Sequence, residues 1–323
     1  KNEAWILDRF LQCTSLWADH IIVADQGSDD GSREIALRYP KVILIENTSV
    51  SFNEPERQKI LIAAARQFSG PRILIALDAD EMLSANFLNS LEWKNIFDAA
   101  PGTIIQFEVV NIKGDMTYWT PQYYFNLGFI DDDSEHDHKG MLMHSQRVPT
   151  PMHSPILKVW DIKILHYQYS DWRRMESKHR WYQCWERINH PTRHTIDIFR
   201  QYHHMYSIPQ SEIHPILSEW IDEYKLKGID MANIKQSSEF RWDKEVLEMF
   251  AKYGVAKFAK EAVWEADWTT IKQKINTEET DALVVDPRSC TERIVHWWLR
   301  WSQAHSRKRL VRWIDRGLKL IGW

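Results

Sequence analysis

Short apolar runs alternate with segments of helical periodicity through the first 110 residues of the chain. The apolar runs are residues 20–25, 41–47, 72–80 and 102–111. The segments of helical periodicity are residues 2–19, 31–39, 54–68 and 85–97. Strands that alternate with helices and are apolar on both faces are typical of a parallel sheet covered on both sides. In such sheets, ligands bind at the carboxyl ends of the strands.

The pattern changes beyond residue 115. Residues 115–155 are rich in aromatic, acidic and histidine residues and are predicted to form a long irregular loop, which in a compact domain is usually functional. The segment ILKVWDIKILHYQY, residues 156–169, is predicted to contain one more strand, which ends at His166, and residues 171–290 are predicted to be mostly helical. We therefore predict an α/β protein with a Rossmann-like, mostly parallel sheet in residues 1–170 and a helical C-terminal extension in residues 171–323.

Composition narrows the class of protein. The 323 residues are 44% hydrophobic, which is enough for a sizeable core. With a formal charge of −4, the chain has no overall positive charge of the kind that nucleic-acid-binding proteins use. The three cysteines are far apart, which suits a reducing cytoplasm and argues against a cysteine metal site. No apolar run is long enough to span a membrane. Because the chain does not begin with Met, we expect that a segment precedes Lys1.

Three acids follow directly after the third apolar run. In the segment RILIALDADEML the apolar residues 73–77 run directly into Asp78, Asp80 and Glu81. Because an unpaired buried carboxylate is expensive, Asp78 and Asp80 must either reach water or meet a cation. On a strand, Asp78 and Asp80 would point to the same side. Paired carboxylates at an open crevice suit a hard cation such as Mn²⁺ or Mg²⁺, which leaves positions for substrate phosphates. A solvated cluster of loop acids is the alternative, and the position of the triplet in a βαβ series favours the metal site.

A second cluster of polar residues follows the first apolar run. In the segment IIVADQGSDDGS, Asp25 lies at a strand end and a glycine-containing turn leads into a helix. Such a turn can offer backbone amides and a carboxylate to a ligand. The spacing is not that of a phosphate-binding glycine loop, and acids would repel a diphosphate. A carboxylate here is better suited to accept hydrogen bonds from a base or a ribose, although a simple capping turn has the same composition.

Four motifs in order give the chain a resemblance to a known family. The segments KNEAWILDRFL, DHIIVADQGSDDGSREIALRYPKV, NEPERQKILIAAA and ILIALDADEML resemble the donor-binding half of family 2 glycosyltransferases, which are inverting enzymes of the GT-A fold. The resemblance covers roughly residues 1–110 and is weaker to about residue 190. It implies a GT-A domain, a nucleotide-sugar donor, a glycan or glycolipid acceptor and a divalent metal.

The resemblance also implies two sets of ligand-binding residues. The nucleotide-sugar set is Glu3, Asp25, Ser28, Asp30, Arg57 and Asp78. The metal set is Asp78, Asp80 and His166. Glu3 and Asp25 would contact the base or ribose, and Arg57 would lie beside the base or diphosphate. Ser28 and Asp30 would shape the turn. A structural core histidine remains an equal alternative for His166.

The sequence departs from the family pattern at two places that affect the chemistry. Gln26 replaces a common second aspartate in the first turn, and His153 is followed by Ser154 where some relatives have glutamate. The general base must therefore come from elsewhere. The available acids are Asp131, Asp132, Asp133, Glu135 and Asp137. Asp132 and Glu135 are our hypotheses for this base.

The last 32 residues are basic and amphipathic. Residues 292–323 contain eight Lys or Arg and two acids, a net charge of +6, so residues 1–291 carry −10. An apolar helical face is predicted for Leu310, Trp313, Ile314, Leu318 and Ile321. The basic face is predicted for Arg309, Arg312, Arg316 and Lys319. An interfacial helix at an anionic membrane, spanning residues 309–321, and a helix docked on the core are both consistent with this pattern.

The sequence therefore favours a metal-dependent, inverting glycosyltransferase, in the cytoplasm or peripheral at the inner face of the membrane. Membrane contact would suit a role in cell-surface glycan or lipopolysaccharide synthesis. A nucleotidyltransferase would also use strand-end acids and a divalent metal, but it usually carries a basic glycine-rich N-terminal loop. Residues 1–323 do not contain this loop, although a segment before Lys1 could hold it. A non-catalytic glycan-binding protein is the third alternative, with some of the 17 tryptophans as sugar platforms.

Overall fold

A computed structural model describes residues 1–47, 53–114, 116–136, 145–237, 239–275 and 284–323. The strands in these ranges are β1 (Ile21–Asp25), β2 (Val42–Glu46), β3 (Ile73–Ile75), β4 (Glu81–Leu83), β5 (Ile104–Lys113), β6 (Tyr118–Ile130), β7 (Ile156–Tyr169) and β8 (His214–Pro215). The α-helices are α1 (Leu7–Thr14), α2 (Ser32–Leu37), α3 (Glu54–Ala65), α4 (Leu91–Phe97), α5 (Trp172–Asn189), α6 (Thr195–Tyr202), α7 (Asp222–Leu226), α8 (Arg241–Tyr253), α9 (Trp268–Ile275), α10 (Cys290–Gln303) and α11 (Arg309–Leu320).

The chain divides into two compact units. The first contains residues 1–170 and 214–236, and the second contains residues 171–213 and 237–323. Residues 214–236, which the sequence pattern assigned to the helical extension, thus belong to the first unit. Within it, β8 pairs with β6, and the Tyr224 hydroxyl of α7 donates to the Leu83 carbonyl at 2.8 Å.

The first unit contains two sheets. Strands β1 and β2 form a parallel pair in which Ile21 lies opposite Val42. The second sheet has the order β3-β6-β5-β7-β4, with β8 also paired to β6. Within this sheet, as far as the structure describes it, only the β5–β7 pairing is parallel. The α/β class is confirmed, but the predicted mostly parallel sheet is wrong, because four of the five pairings described in the second sheet are antiparallel.

Strand β6 lies where the sequence predicted an irregular loop. Its aromatic residues fit a pleated surface, but Pro121 and the neighbouring loop residues concealed the strand. Pro121 lies opposite Val110, next to a register shift in the β5–β6 ladder, where a strand tolerates proline. Further along, Gly128 lies opposite both Ile75 and Ile105, and a Cβ at Gly128 would lie 2.8 Å from the Ile105 Cβ. Only glycine therefore fits between these strands without displacement.

The second unit consists of helices in its described ranges. Buried polar residues join its elements: Arg187 of α5 donates to the Glu261 carboxylate at 2.6 Å, and the His179 ring contacts the Tyr202 carbonyl at 2.9 Å. Burial lowers the pKa of His179 to about 3, so this ring is neutral near pH 7. None of the helices in the described ranges combines the length and apolar character needed to span a bilayer.

Candidate functional site

The acidic triplet forms a turn between β3 and β4. The Glu81 amide donates to the Asp78 carbonyl at 3.0 Å, and the Glu81 Oε2 accepts from the Asp78 amide at 3.0 Å. The predicted strand does not continue through Asp78 and Asp80, because β3 ends at Ile75. Hydrogen bonds between residues 78 and 81 instead hold this segment as a turn. We call residues 78–81 the acid turn.

Arg147 is the cation that balances part of the acid turn. Its Nη2 lies 2.8 Å from the Asp78 Oδ2 and 3.1 Å from the Glu81 Oε1, and its Nη1 also donates to Glu81. Glu81 is only 2% exposed, whereas the Asp78 side chain is 47% exposed. Although burial opposes it, the nearby Asp78 and Glu81 charges raise the pKa of Arg147. Arg147 is thus the cation beside Asp78 and Glu81, and the divalent metal expected at Asp78 and Asp80 stays a prediction.

Asp80 lies beside His166. The Asp80 Oδ2 and His166 Nε2 are 3.5 Å apart, and both side chains are largely buried. The β4–β7 ladder fixes this arrangement, because Glu81 lies opposite His166 and the Tyr167 amide donates to the Asp80 carbonyl at 2.9 Å. The structure thus brings together Asp80 and His166 of the predicted metal set, while Asp78 turns to Arg147. Over the described ranges, no group of three His, Cys, Asp or Glu side chains is arranged to hold a metal.

Asp25 organises the turn after β1. It is 6% exposed, and its Oδ2 accepts from the Ser28 amide at 3.1 Å and from Arg33 Nη1 at 2.9 Å. Burial would raise its pKa, but the hydrogen bonds from Ser28 and Arg33 outweigh burial and lower the pKa of Asp25. Asp25 is therefore an ionised hydrogen-bond acceptor at a strand end.

The N-terminal segment lies against the same turn. The Ser28 hydroxyl accepts from the Asn2 amide at 2.8 Å, and the Asp30 Oδ2 accepts from the Ala4 amide at 2.9 Å. The Glu3 carboxylate accepts from Trp5 Nε1 at 2.7 Å. The Glu3 amide donates to Ser32 Oγ at 2.9 Å, and Ser32 Oγ donates to Asp30 at 2.6 Å. Residues 2–4 are therefore hydrogen-bonded to the turn that contains Asp25, Ser28 and Asp30.

Arg57 lies in the first turns of α3. Its Nη2 is 4.0 Å from the Glu54 carboxylate, and within the described chain no hydrogen bond or ion pair joins it to Asp25 or the acid turn. The start of α3 is nevertheless connected to the acid turn. Glu54 accepts from the Ser145 amide at 2.7 Å, and Ser145 precedes Arg147 by two residues.

Asp132 and Glu135, the predicted bases, follow the end of β6. Strand β3 runs antiparallel to β6, with Ile73 opposite Ile130, so these acids lie at the start of β3 and the acid turn follows its end. The Asp132 carboxylate accepts from Ser134 and contacts His136 Nε2 at 3.0 Å. The structure therefore does not bring Asp132 and Glu135 together with Asp80. Asp137, another acid of the predicted pool, lies outside the described residues.

The neighbouring acid Asp131 forms ion pairs with two arginines. Its buried carboxylate accepts from Arg66 Nη2 at 2.8 Å and from Arg72 Nε at 2.9 Å. Burial opposes ionisation, but the two arginines hold the pKa of Asp131 below its usual value. This ion-pair cluster joins α3 to the start of β3, which explains an acid-rich sequence at this position without a catalytic role.

Sequence reasoning missed Glu81 and Arg147. Glu81 is part of the acidic triplet, and its position after an apolar run was a signal of burial. Arg147 carries no local signal, because it lies 66 residues beyond Glu81 in a segment read as a loop.

No protein-family model and no curated protein matches this chain.

Proposed function

We propose that the protein is an inverting glycosyltransferase that moves a sugar from a nucleotide-sugar donor to a hydroxyl of a glycan or glycolipid acceptor. In this proposal the first unit is a GT-A-type domain and the reaction needs a divalent cation, Mn²⁺ or Mg²⁺. The observation that carries the proposal is the acid turn, where three carboxylates meet one guanidinium and one imidazole. The motif resemblance in residues 1–110 supports the same class.

The charge at the acid turn supports a divalent cation. Asp78 and Glu81 contact Arg147, and Asp80 contacts His166. Three carboxylates on one partly buried turn form the kind of oxygen-rich, acidic site that a divalent cation such as Mn²⁺ or Mg²⁺ binds.

The donor atoms at this site fit Mn²⁺ or Mg²⁺. Two donors that each lie about 2.1 Å from one ion can be at most about 4.2 Å apart. The 3.5 Å between the Asp80 Oδ2 and His166 Nε2 is within this limit. Carboxylate oxygen suits both ions, and imidazole nitrogen favours Mn²⁺ over Mg²⁺. Asp80 and His166 would therefore hold the ion, and Arg147 would keep Asp78 and Glu81 in position.

The Asp25 turn is the proposed nucleotide-recognition element. Asp25 and Glu3 supply carboxylates that can accept hydrogen bonds from base N–H or ribose O–H groups. Ser28 and Asp30 hold the turn against residues 2–4, which positions Glu3. Arg57 would act from the start of α3, which Ser145 joins to the acid turn.

The chemistry of an inverting transfer divides between leaving group and acceptor. When bound, the divalent ion would stabilise charge on the departing diphosphate. Deprotonation of the acceptor hydroxyl requires a base near the same site. Asp132 and Glu135 lie at the other end of β3, so we assign this role to neither of them.

The test compares Asp80→Asn with the wild type and with Asp98→Asn, an identical change at an exposed position of the first unit. Binding of UDP, GDP and their sugar derivatives is measured by calorimetry and thermal shift, with Mn²⁺ or with EDTA. We expect one nucleoside diphosphate family to raise the melting temperature only with Mn²⁺. Asp80→Asn should lose this effect, and Asp98→Asn should retain it.

Three results would contradict the proposal. Full transfer activity of Asp80→Asn with Mn²⁺ would remove Asp80 from the metal site. Release of pyrophosphate in place of a nucleoside diphosphate would identify a nucleotidyltransferase. Binding of glycans without any metal-dependent nucleotide binding would identify a glycan-binding protein.

A further inference from the structure

Helix α11 is docked on the second unit by one narrow stripe. Val311 and Asp315 are buried, and Asp315 accepts two hydrogen bonds from Arg200 of α6, at 3.0 and 3.1 Å. Leu318 packs against a core cluster that contains Trp323. On this side, α11 is docked on the core, which is one of the two alternatives that the sequence left open.

Most of the predicted apolar face of α11 is not used for docking. Of its five residues, Trp313 is 71% exposed, Leu310 is 67% exposed and Ile321 is also exposed. Leu320, which was not part of the predicted face, is exposed as well. The single apolar face that the sequence predicted is therefore divided, with Leu318 inside and Trp313 outside. A helix that is merely docked would not need this second stripe.

Helix α10 exposes a similar stripe. Ile294, Trp297 and Trp301 follow a spacing of three and four residues, which places them on one helical face, and all three are exposed. The Trp297 and Trp301 rings are stacked, with centroids 6.2 Å apart and an interplanar angle of 13°. Val295 and Leu299, on the opposite face, are buried in the core.

The buried faces of α10 and α11 both contact Arg200 of α6. Arg200 of α6 donates to Ser302 and Gln303 of α10 and to Asp315 of α11. Both helices thus direct their buried faces towards α6. Their exposed stripes must therefore face away from α6, towards solvent.

Basic residues border the exposed stripe of α11. Arg309, Arg312 and Arg316 are exposed, and none of them has an acidic partner among the described residues. The net charge of +6 over residues 292–323 contrasts with −10 for the rest of the chain. Positive charge is thus concentrated beside exposed tryptophan and leucine.

We propose that the exposed stripes of α10 and α11 bind an anionic lipid bilayer. Tryptophan rings favour the membrane–water interface because they combine an apolar body with a polar edge. Adjacent arginines are attracted to anionic headgroups. An apolar surface of this kind would be unfavourable in water and indicates a partner. This inference is independent of the proposed activity, because its test measures binding alone.

The test is flotation of the full chain with vesicles of phosphatidylcholine alone or mixed with phosphatidylglycerol. We expect binding to the anionic vesicles only, and weaker binding as salt rises. Trp297→Ser with Trp313→Ser should reduce the partition coefficient by about tenfold or more, since two interfacial side chains are lost. Arg309→Gln with Arg312→Gln should reduce it by a similar factor. Leu226→Ser, at an exposed leucine of the first unit, is the matched control and should bind normally.

Melting curves show whether the variants are folded, and the exposed positions predict unchanged curves. The proposal is wrong if the wild type does not float with anionic vesicles at low salt, or if the double tryptophan variant floats equally well. It is also wrong if the surface is instead a self-association site. That case would appear in gel filtration as a dimer that the tryptophan variant dissociates, without vesicle binding.

Discussion

Replacement of Arg147 by methionine tests the charge balance of the acid turn. Methionine keeps most of the side-chain volume but removes the guanidinium that contacts Asp78 and Glu81. Glu81 is 2% exposed and would lose its cation, whereas Asp78 is half-exposed and can be solvated. Removing one partner of a fully buried ion pair costs roughly 3–5 kcal/mol. Because the Arg147 side chain is 29% exposed and water can enter, we expect the lower value, about 3 kcal/mol.

The assay is urea unfolding followed by circular dichroism, with the melting temperature as a second measure. A loss of about 3 kcal/mol should lower the melting temperature by roughly 6–12 °C for a unit of this size. Arg147→Met combined with Glu81→Gln removes the stranded charge and should recover more than half of the loss. Arg38→Met is the matched control, because its ion pair with Asp8 is exposed and should be worth less than about 1 kcal/mol.

Two outcomes would refute this reasoning. Arg147→Met could unfold within about 1 kcal/mol of the wild type, which would mean that Glu81 does not depend on the guanidinium. Alternatively, the losses in the Arg147 and Glu81 variants could simply add, which would mean that the two side chains act independently.

Three further predictions concern other parts of the chain. Asp132→Asn should retain transfer activity while Asp80→Asn loses it, because Asp132 lies at the other end of β3. A transfer assay of both variants tests this. Gly128→Val should destabilise the first unit by about 1–3 kcal/mol in urea unfolding, because its Cβ would meet Ile105 at 2.8 Å. His179→Gln should make unfolding less sensitive to acid. The folded pKa of His179, about 3, lies below the unfolded value, so its contribution is complete above about pH 6.5 and is lost as pH falls. The wild type should lose about 2 kcal/mol from this residue near pH 5.

Each of these predictions has a clear contrary result. Inactivity of a folded Asp132→Asn would restore the sequence-based hypothesis that Asp132 is the base. A Gly128→Val variant as stable as the wild type would show that β5 and β6 can separate at no cost. Parallel stability-versus-pH curves for the wild type and His179→Gln would show that the buried ring does not control acid sensitivity.

The sequence predicted the local elements of the first 110 residues because their signals are local. Apolar runs and helical periodicity located β1, β2, α3 and β5 within a few residues. The direction of strand pairing was not predictable in the same way. Nothing in the sequence of β6 indicates that it runs antiparallel to both β3 and β5, and its proline argued against a strand at all.

The site was predictable to the extent that its residues are neighbours in sequence. The acidic triplet indicated a need for a cation, but Arg147 could not be identified, because the contact closes only when residues 66 positions apart meet. Asp132 was chosen because it lies in an acid-rich segment. Strand β6 runs antiparallel to β3, so Asp132 lies at the opposite end of β3 from the acid turn. In α11 the periodicity indicated an amphipathic helix, but it could not show that Val311 and Leu318 face the core while Trp313 stays outside.

The acid turn has a mechanical consequence that follows from the strand order. Strands β3 and β4 flank the ordered path β3-β6-β5-β7-β4, and a flat sheet of five strands at about 4.8 Å spacing would place them about 19 Å apart. The chain from Ile75 to Asp78 reaches at most about 10 Å, and the turn from Asp78 to Glu81 spans less than about 7 Å.

A flat sheet therefore cannot be joined by this connection, and the sheet must curl so that β3 and β4 approach each other. The turn acts as a tether whose length sets the curvature of the sheet. Because one short connection joins β3 and β4, the two strands should open together. Their amide protons should therefore exchange at similar rates in hydrogen exchange, and not independently.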